Sequence, residues 1–211
     1  MKIAVIFAVL AFGSQAFAEI DIALDFGPSF SNYSFDDGGS TVGDNHFGFT
    51  FLKTTESDWA WKIRAEYQSI MTSEMFPKDD FSFSAIFGLG GVLLKNEKLT
   101  LTLMPIIGIE YIDGDSIKTS NIKTEGNFIG FRTGIDFTGI YRLTKVVGFF
   151  TNIGLYYTIG SYEYEYGVYI DKNEYEYGVY IDKTYTKTEK DYSCSGWTFA
   201  PSIGVSLTFG N

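Results

Sequence analysis

The chain has one cysteine and one histidine in 211 residues. Cys194 and His46 cannot between them make a disulfide or a His/Cys zinc site, so a disulfide scaffold and a zinc fold are both excluded. Proline and methionine are scarce, at 4 each. No stretch offers 18 consecutive apolar residues, which excludes helical membrane spans. Positive charge is also in deficit: 16 Lys and Arg stand against 26 Asp and Glu, a formal net charge of -10. Such a chain repels phosphate backbones and anionic surfaces as a whole, so nucleic acid is excluded as a partner class. What is plentiful is aromatic and small: 20 Phe, 15 Tyr and 23 Gly, with 45% of residues hydrophobic. That composition excludes disorder, and the length suits one domain.

Residues 1–18 read as a secretory signal peptide. Lys2 precedes the apolar run Ile3 to Phe12, and Ala16-Phe17-Ala18 closes it with a small-x-small cleavage pattern. The run is well short of the roughly 20 residues a bilayer-spanning helix needs. The expected mature domain is 19–211, outside the cytoplasm.

Downstream, the dominant pattern has period 2, the signature of strands with two unlike faces. In Trp197 to Phe209, the residues Trp197, Phe199, Pro201, Ile203, Val205, Leu207 and Phe209 share one face. Thr198, Ala200, Ser202, Gly204, Ser206 and Thr208 share the other. The same alternation marks Ile20–Phe30, His46–Phe51, Trp59–Gln68, Phe81–Gly90, Leu99–Tyr111, Phe131–Tyr141 and Phe149–Ile159. Eight segments predict an all-β, eight-stranded antiparallel up-and-down barrel.

The two faces predict which way its wall is turned. One face is aromatic and aliphatic with no charge at central positions, where a Lys or Arg at a bilayer midplane would cost roughly 2–4 kcal/mol. The other is rich in Gly, Ser, Thr and Ala, side chains that fit the narrow interior of an eight-stranded barrel. The expectation is a transmembrane barrel. The connections Thr54–Asp58, Lys95–Lys98 and Leu143–Lys145 are short. Tyr33–Asn45, Thr72–Asp80, Asp113–Asn127 and Ser161–Ser193 are long and read as loops. Outer-membrane barrels place short turns at the periplasmic rim, so both termini are expected there. Trp59, Trp61 and Tyr141 then fall near that rim, and Tyr67, Tyr111, Tyr157 and Trp197 in the outer aromatic girdle.

This layout resembles the small eight-stranded outer-membrane proteins, the group containing OmpX, OmpW and the membrane domain of OmpA. The last strand, Ser202-Ile203-Gly204-Val205-Ser206-Leu207-Thr208-Phe209, is similar to the C-terminal signal read by the barrel-assembly machinery, with Gly204, Leu207 and Phe209 at its marked positions. Gly210 and Asn211 extend past the aromatic, where the family usually stops. The resemblance implies a bacterial outer-membrane location, lipid and the assembly machinery as partners, and a monomer.

Projected inward, Asp21, Asp25, Lys62, Arg64, Glu66, Glu110, Arg132 and Asp136 share one lumen. Buried charges persist when paired and hydrogen-bonded, so the expectation is a salt-bridged core that conducts poorly or not at all. A narrow channel, or lateral passage of small apolar solutes as a likeness to OmpW implies, is the alternative. A lipid-modifying enzyme is a third class. It needs a His base near a Ser, and His46 is its one candidate. No Gly-x-Ser-x-Gly elbow occurs, so catalytic residues, metal and cofactor are all expected to be none.

One segment stands apart. The decapeptide Glu163 to Lys172 recurs unchanged as Glu174 to Lys183, a period of 11 that reverses the faces of a continuous strand and so suits a loop outside the bilayer. Ser161 to Tyr192 holds 9 of the 15 Tyr. Tyr offers amphipathic contact area at low entropic cost. Tyr164, Tyr166, Tyr169, Tyr175, Tyr177 and Tyr180 are therefore the candidate contacts with host or neighbouring-cell surface molecules. A projecting hairpin turning near Lys172-Asn173 is expected.

Overall fold

The computed structural model describes residues 19–35, 38–55, 58–72, 81–119, 122–170 and 184–210. The leader at 1–18 lies outside them. Eight strands follow in chain order: β1 (Glu19–Phe35), β2 (Gly38–Thr54), β3 (Trp59–Thr72), β4 (Phe81–Lys95), β5 (Leu99–Thr119), β6 (Ile122–Arg142), β7 (Val147–Ile170) and β8 (Thr184–Phe209). Each pairs antiparallel with the next, and β1 pairs with β8, which closes the barrel. All eight alternating segments lie inside these strands.

The wall is turned as the alternation predicts. Leu24, Phe49, Ile107, Ile135 and Ile203 on the outer face are exposed, Ile203 by 73%. Lys62, Arg64, Arg132 and Asp136 on the inner face are at most 1% exposed. A water-soluble barrel has the reverse arrangement, because exposed charge is hydrated and exposed hydrocarbon is not. Between the rims the described outer face carries no Asp, Glu, Lys or Arg, Lys53 lying one residue from the end of β2. Its hydroxyls are satisfied locally: Thr133 donates to the carbonyl of Ile106 (3.2 Å) and Thr151 to that of Ser202 (3.1 Å). A hydroxyl facing hydrocarbon has no water to bond, so these pairings remove a desolvation cost. The protein is an eight-stranded transmembrane β-barrel.

Glycines on the inner face let the small barrel curl. A Cβ on Gly204 would collide with the carbonyl oxygen of Leu24 and lie 2.6 Å from the Cα of Asp25. Backbones therefore approach where a side chain would hold them apart. The three strand prolines Pro28, Pro105 and Pro201 lie on the outer face and interrupt ladders. The β4–β5 pairing skips from Gly88↔Ile106 to Gly91↔Leu103, and β1–β8 from Phe26↔Ile203 to Phe30↔Phe199. Proline has no N–H to give its neighbour. Pro28 pairs normally with β2 and Pro201 with β7, so both leave their gap in the same seam.

The long connections differ from the loops expected. β1 and β2 stay paired to Phe35↔Gly38, β5 and β6 to Thr119↔Ile122, and β7 and β8 to Ile170↔Thr184. These arms leave no two-faced periodicity because beyond the membrane the two sides no longer meet unlike solvents. Ile170 pairs with Thr184, and the turn expected near Lys172-Asn173 lies outside the described residues. The Thr72–Asp80 connection lies almost wholly outside the described residues, as do 171–183 with Tyr175, Tyr177 and Tyr180. Tyr164, Tyr166 and Tyr169 fall in the backbone of β7.

Candidate functional site

The lumen concentrates the polar chemistry of the chain. Its floor is set by period 2: β1 turns Asp21 and Asp25 inward, β3 turns Lys62, Arg64 and Glu66, β5 turns Glu110, and β6 turns Arg132 and Asp136. The register then decides which of them meet.

Five form one chain of alternating sign. Arg64 donates from its two terminal nitrogens to the two oxygens of Asp25, at 2.7 Å each, and from Nε to Glu66 at 2.6 Å. Arg132 bridges the other oxygen of Glu66 (3.1 Å) and Glu110. Such fork-shaped contacts are the strongest hydrogen bonds a guanidinium makes. Hydroxyls fill the remaining positions: Thr50 accepts from Arg64 (2.8 Å), Ser84 donates to Glu66 (3.0 Å), and Thr158 donates to Glu110 (3.0 Å).

Lys62 and Asp136 form a separate pair at 2.6 Å. Lys62 also donates to Thr138 (2.9 Å) and Asn152 (3.0 Å), while Asp136 accepts from Asn152 (3.0 Å) and Tyr156 (2.9 Å). The Tyr156 ring stacks under Arg132, 4.9 Å from its guanidinium carbon, and so links the two groups. Asp21 is apart from both. It sits at the rim that holds the termini, accepting from Thr208 (2.6 Å), with Arg142 at 3.8 Å. Glu19, Lys95 and Arg142 complete that rim, with Glu19 bridging the two cations.

Several inward residues escaped the sequence reading. Tyr33, assigned to a loop, is 2% exposed and donates to Glu110 (3.1 Å). Phe128, which falls between the expected loop Asp113–Asn127 and the expected segment Phe131–Tyr141, is fully buried, with its ring edge-on to Tyr33 at 5.9 Å. Together they lie beyond Glu110 on the side away from the termini. Their signal was present: Tyr33 continues the odd-numbered inner face of β1, and Phe128 the even-numbered inner face of β6. An apolar cluster that includes Leu52, Met104, Ile140 and Phe150 packs the same interior. Among the described residues, these side chains occupy the barrel interior at their levels.

His46 points inward and is 1% exposed, with Nε2 4.0 Å from Asp25. Neither ring nitrogen has a hydrogen-bond partner, and the buried hydroxyls of Ser29 and Ser202 are in the same position. Register sets Gly27 opposite His46, so all three orphaned groups surround the proline gap in the β1–β8 seam. Cys194 is buried at the inner face of β8. Among the described residues no group of three or more His, Cys, Asp or Glu side chains could hold a metal ion.

At the outer wall the girdle aromatics pair. Tyr157 and Trp197 have ring centroids 4.9 Å apart, Phe51 and Trp61 5.4 Å, and Tyr67 and Phe81 6.1 Å. Gly204, Leu207 and Phe209 of the last strand pair with β1 at Asp25, Ile22 and Ile20, so all three lie on the seam that closes the barrel.

No family model and no curated protein matches the chain. Solved structures with similar strand layout include Neisserial surface protein A, at 12% identity over 90% of this chain and 97% of that one, with a TM-score of 0.43. The outer membrane protein OprG from Pseudomonas aeruginosa is 14% identical over 93% and 97%, with a TM-score of 0.41. Ail, the attachment invasion locus protein of Yersinia pestis, is 11% identical over 90% and 98%, with a TM-score of 0.38. At such identities and superpositions no role passes from them to this chain, whose class is carried by its own inside-out wall.

Proposed function

We propose that this chain is a bacterial outer-membrane barrel whose lumen is a structural core and whose working surface is the sheet that β5 to β8 carry beyond the membrane, with no catalysis. Strand length is the observation that carries this reading. A membrane-spanning strand needs about 9–11 residues. β3 and β4 have 14 and 15, whereas β5 and β6 have 21 each, β7 has 24 and β8 has 26. The excess lies at the end away from the termini, where β6 pairs with β7 to Ile122↔Val168 and β7 with β8 to Ile170↔Thr184. In the periplasmic-termini orientation this sheet stands outside the cell. Its Tyr-rich, acidic composition suits contact with host or neighbouring-cell molecules.

Deleting Glu174 to Lys183 removes one copy of the repeat and leaves every described strand. Cells carrying that variant are expected to hold normal amounts of heat-modifiable barrel and to lose adhesion. Undiminished adhesion refutes the surface-contact role.

A second reading has one observation in its favour. The β1–β8 seam has no ladder pairs between Phe26↔Ile203 and Phe30↔Phe199, and it is backed there by the small inward residues Gly27, Ser29, Ala200 and Ser202; on this reading small apolar solutes pass sideways at that seam. Uptake of such solutes into proteoliposomes, reduced by bulky substitutions at Ala200, would favour transport over contact.

A further inference from the structure

Apart from the lumen, the described wall has a groove of about 530 Å³ on its outer face near the rim that holds the termini. Gly139 lies in its lining, where a Cβ would meet Thr151 Cγ2 at 2.9 Å and Leu101 Cδ2 at 3.3 Å. Gly139 occupies an outward position of β6 where its neighbours Phe137 and Tyr141 carry rings. Leu101, Thr151 and Ile203 flank it, in register across β5, β7 and β8. Leu99, Tyr141, Phe149 and Val205 form the next row toward the rim. The lining is almost wholly apolar, and its one hydroxyl, that of Thr151, is bonded to a backbone carbonyl.

Two exposed lysines stand on the rim above this groove. The β4–β5 turn carries Lys98 and the β6–β7 turn carries Lys145, and both side chains are exposed. The amide of Arg142 donates to the carbonyl of Lys98 (2.7 Å), which holds the two turns side by side directly above Leu99 and Tyr141. Arg142 is itself engaged by Glu19 and Asp21. Among the described residues no ion pair holds Lys98 or Lys145. The same turn exposes Leu143 by 55% and Val146 by 50%. An aqueous turn has no reason to present two aliphatic side chains flanking a lysine. A turn seated at the headgroup level does, with the lysine reaching to the phosphates.

From this we infer a binding site for one anionic diacyl glycerophospholipid, its acyl chain in the Gly139 groove and its phosphate between Lys98 and Lys145. Tyr141, 47% exposed at the junction, offers its phenol to the glycerol region. The net charge of -10 disfavours anionic surfaces for the chain as a whole. The local balance differs, because these two turns carry Lys98 and Lys145 against Glu97 alone. Basic residues beside apolar membrane clefts select anionic headgroups. The site rests on the barrel reading, with this rim in a phospholipid leaflet.

The test uses the full chain folded in detergent, titrated with dioleoylphosphatidylglycerol or dioleoylphosphatidylcholine and read by native mass spectrometry. The expected result is a one-to-one adduct with phosphatidylglycerol occupied about fivefold more than with phosphatidylcholine at equal concentration. Lys98→Gln combined with Lys145→Gln is expected to erase that preference, and Gly139→Leu to fill the groove and remove both adducts. Equal occupancy of the two lipids by the unaltered chain overturns the site, as does phosphatidylglycerol binding unchanged by the lysine pair. Heat-modifiable mobility reports folding of each variant. Should Gly139→Leu not fold, the turn variants decide, since they alter no strand. A chain that never inserts into vesicles refutes the barrel reading itself, whereas one that inserts without lipid preference refutes this site alone.

Discussion

Arg64 grips Asp25 through both terminal nitrogens, at 2.7 Å each, inside a wall whose other face meets hydrocarbon. The two residues are 39 apart in sequence and are joined only because β2 lies between their strands. Arg64 also shares Glu66 with Arg132. Breaking one partner of a buried pair leaves an uncompensated charge, at a cost of about 3–5 kcal/mol. Asp25→Ala is expected to lower unfolding stability by that amount, measured by urea titration of tryptophan fluorescence in lipid vesicles. Adding Arg64→Met should restore a large part of the loss. A double variant as unstable as the sum of its singles means that the pair does not couple.

Charge on the outer face should be penalised by depth. Ile135 lies in the middle of its β6 row and is 51% exposed. Ile135→Arg is expected to cost about 2–4 kcal/mol in the same assay. The equivalent change at Leu143, at the rim, should be close to neutral. Similar penalties at both positions would mean that no hydrocarbon band surrounds the barrel.

The seam between β1 and β8 lacks hydrogen bonds at Pro28 and Pro201. Valine at both positions supplies two N–H donors to carbonyls already in register, each worth on the order of 1 kcal/mol. Pro28→Val with Pro201→Val is therefore expected to raise the temperature at which the folded band disappears on gels. A lower temperature would show that the gap relieves strain rather than leaving bonds unmade.

Ion pairs, Tyr33, Phe128 and the apolar cluster occupy the lumen at their levels. Planar bilayers containing the purified barrel are expected to show no steady porin-sized conductance. Glu66→Gln and Arg132→Met together replace a link of the charge chain with groups of similar volume, and should leave that silence unchanged. A stable conductance from the unaltered chain contradicts the reading of the lumen as a structural core.

How much of this was legible depends on what each residue faces. Along Trp197–Phe209 or Leu99–Tyr111, alternate side chains meet two different media, so the pattern marks strand, face and count at once. Tyr33 and Phe128 were missed for the converse reason. They sit where one face is leaving the membrane, the alternation fades, and an inward ring falls in or beside a segment that reads as a polar loop. The eight inward charges could be named from parity alone, but their grouping could not. Asp21 belongs with Arg142 and Glu19 at the rim, while Asp25, four residues further along β1, belongs with Arg64 of β3.

Local chemistry along the chain, then, determined that there are eight strands, which side of each is greasy, and which ions must be hidden. Period 2 and the intolerance of hydrocarbon for charge are properties of a single strand, so they need no knowledge of the rest. Closure decided everything that depends on register: the Asp25–Arg64–Glu66–Arg132–Glu110 chain, the Gly139 groove with Lys98 and Lys145 above it, the paired prolines in one seam, and the arms of β5 to β8 that run past the barrel. These arise between strands, where hydrogen-bond ladders set the offset of one strand against the next, and no single segment carries that offset.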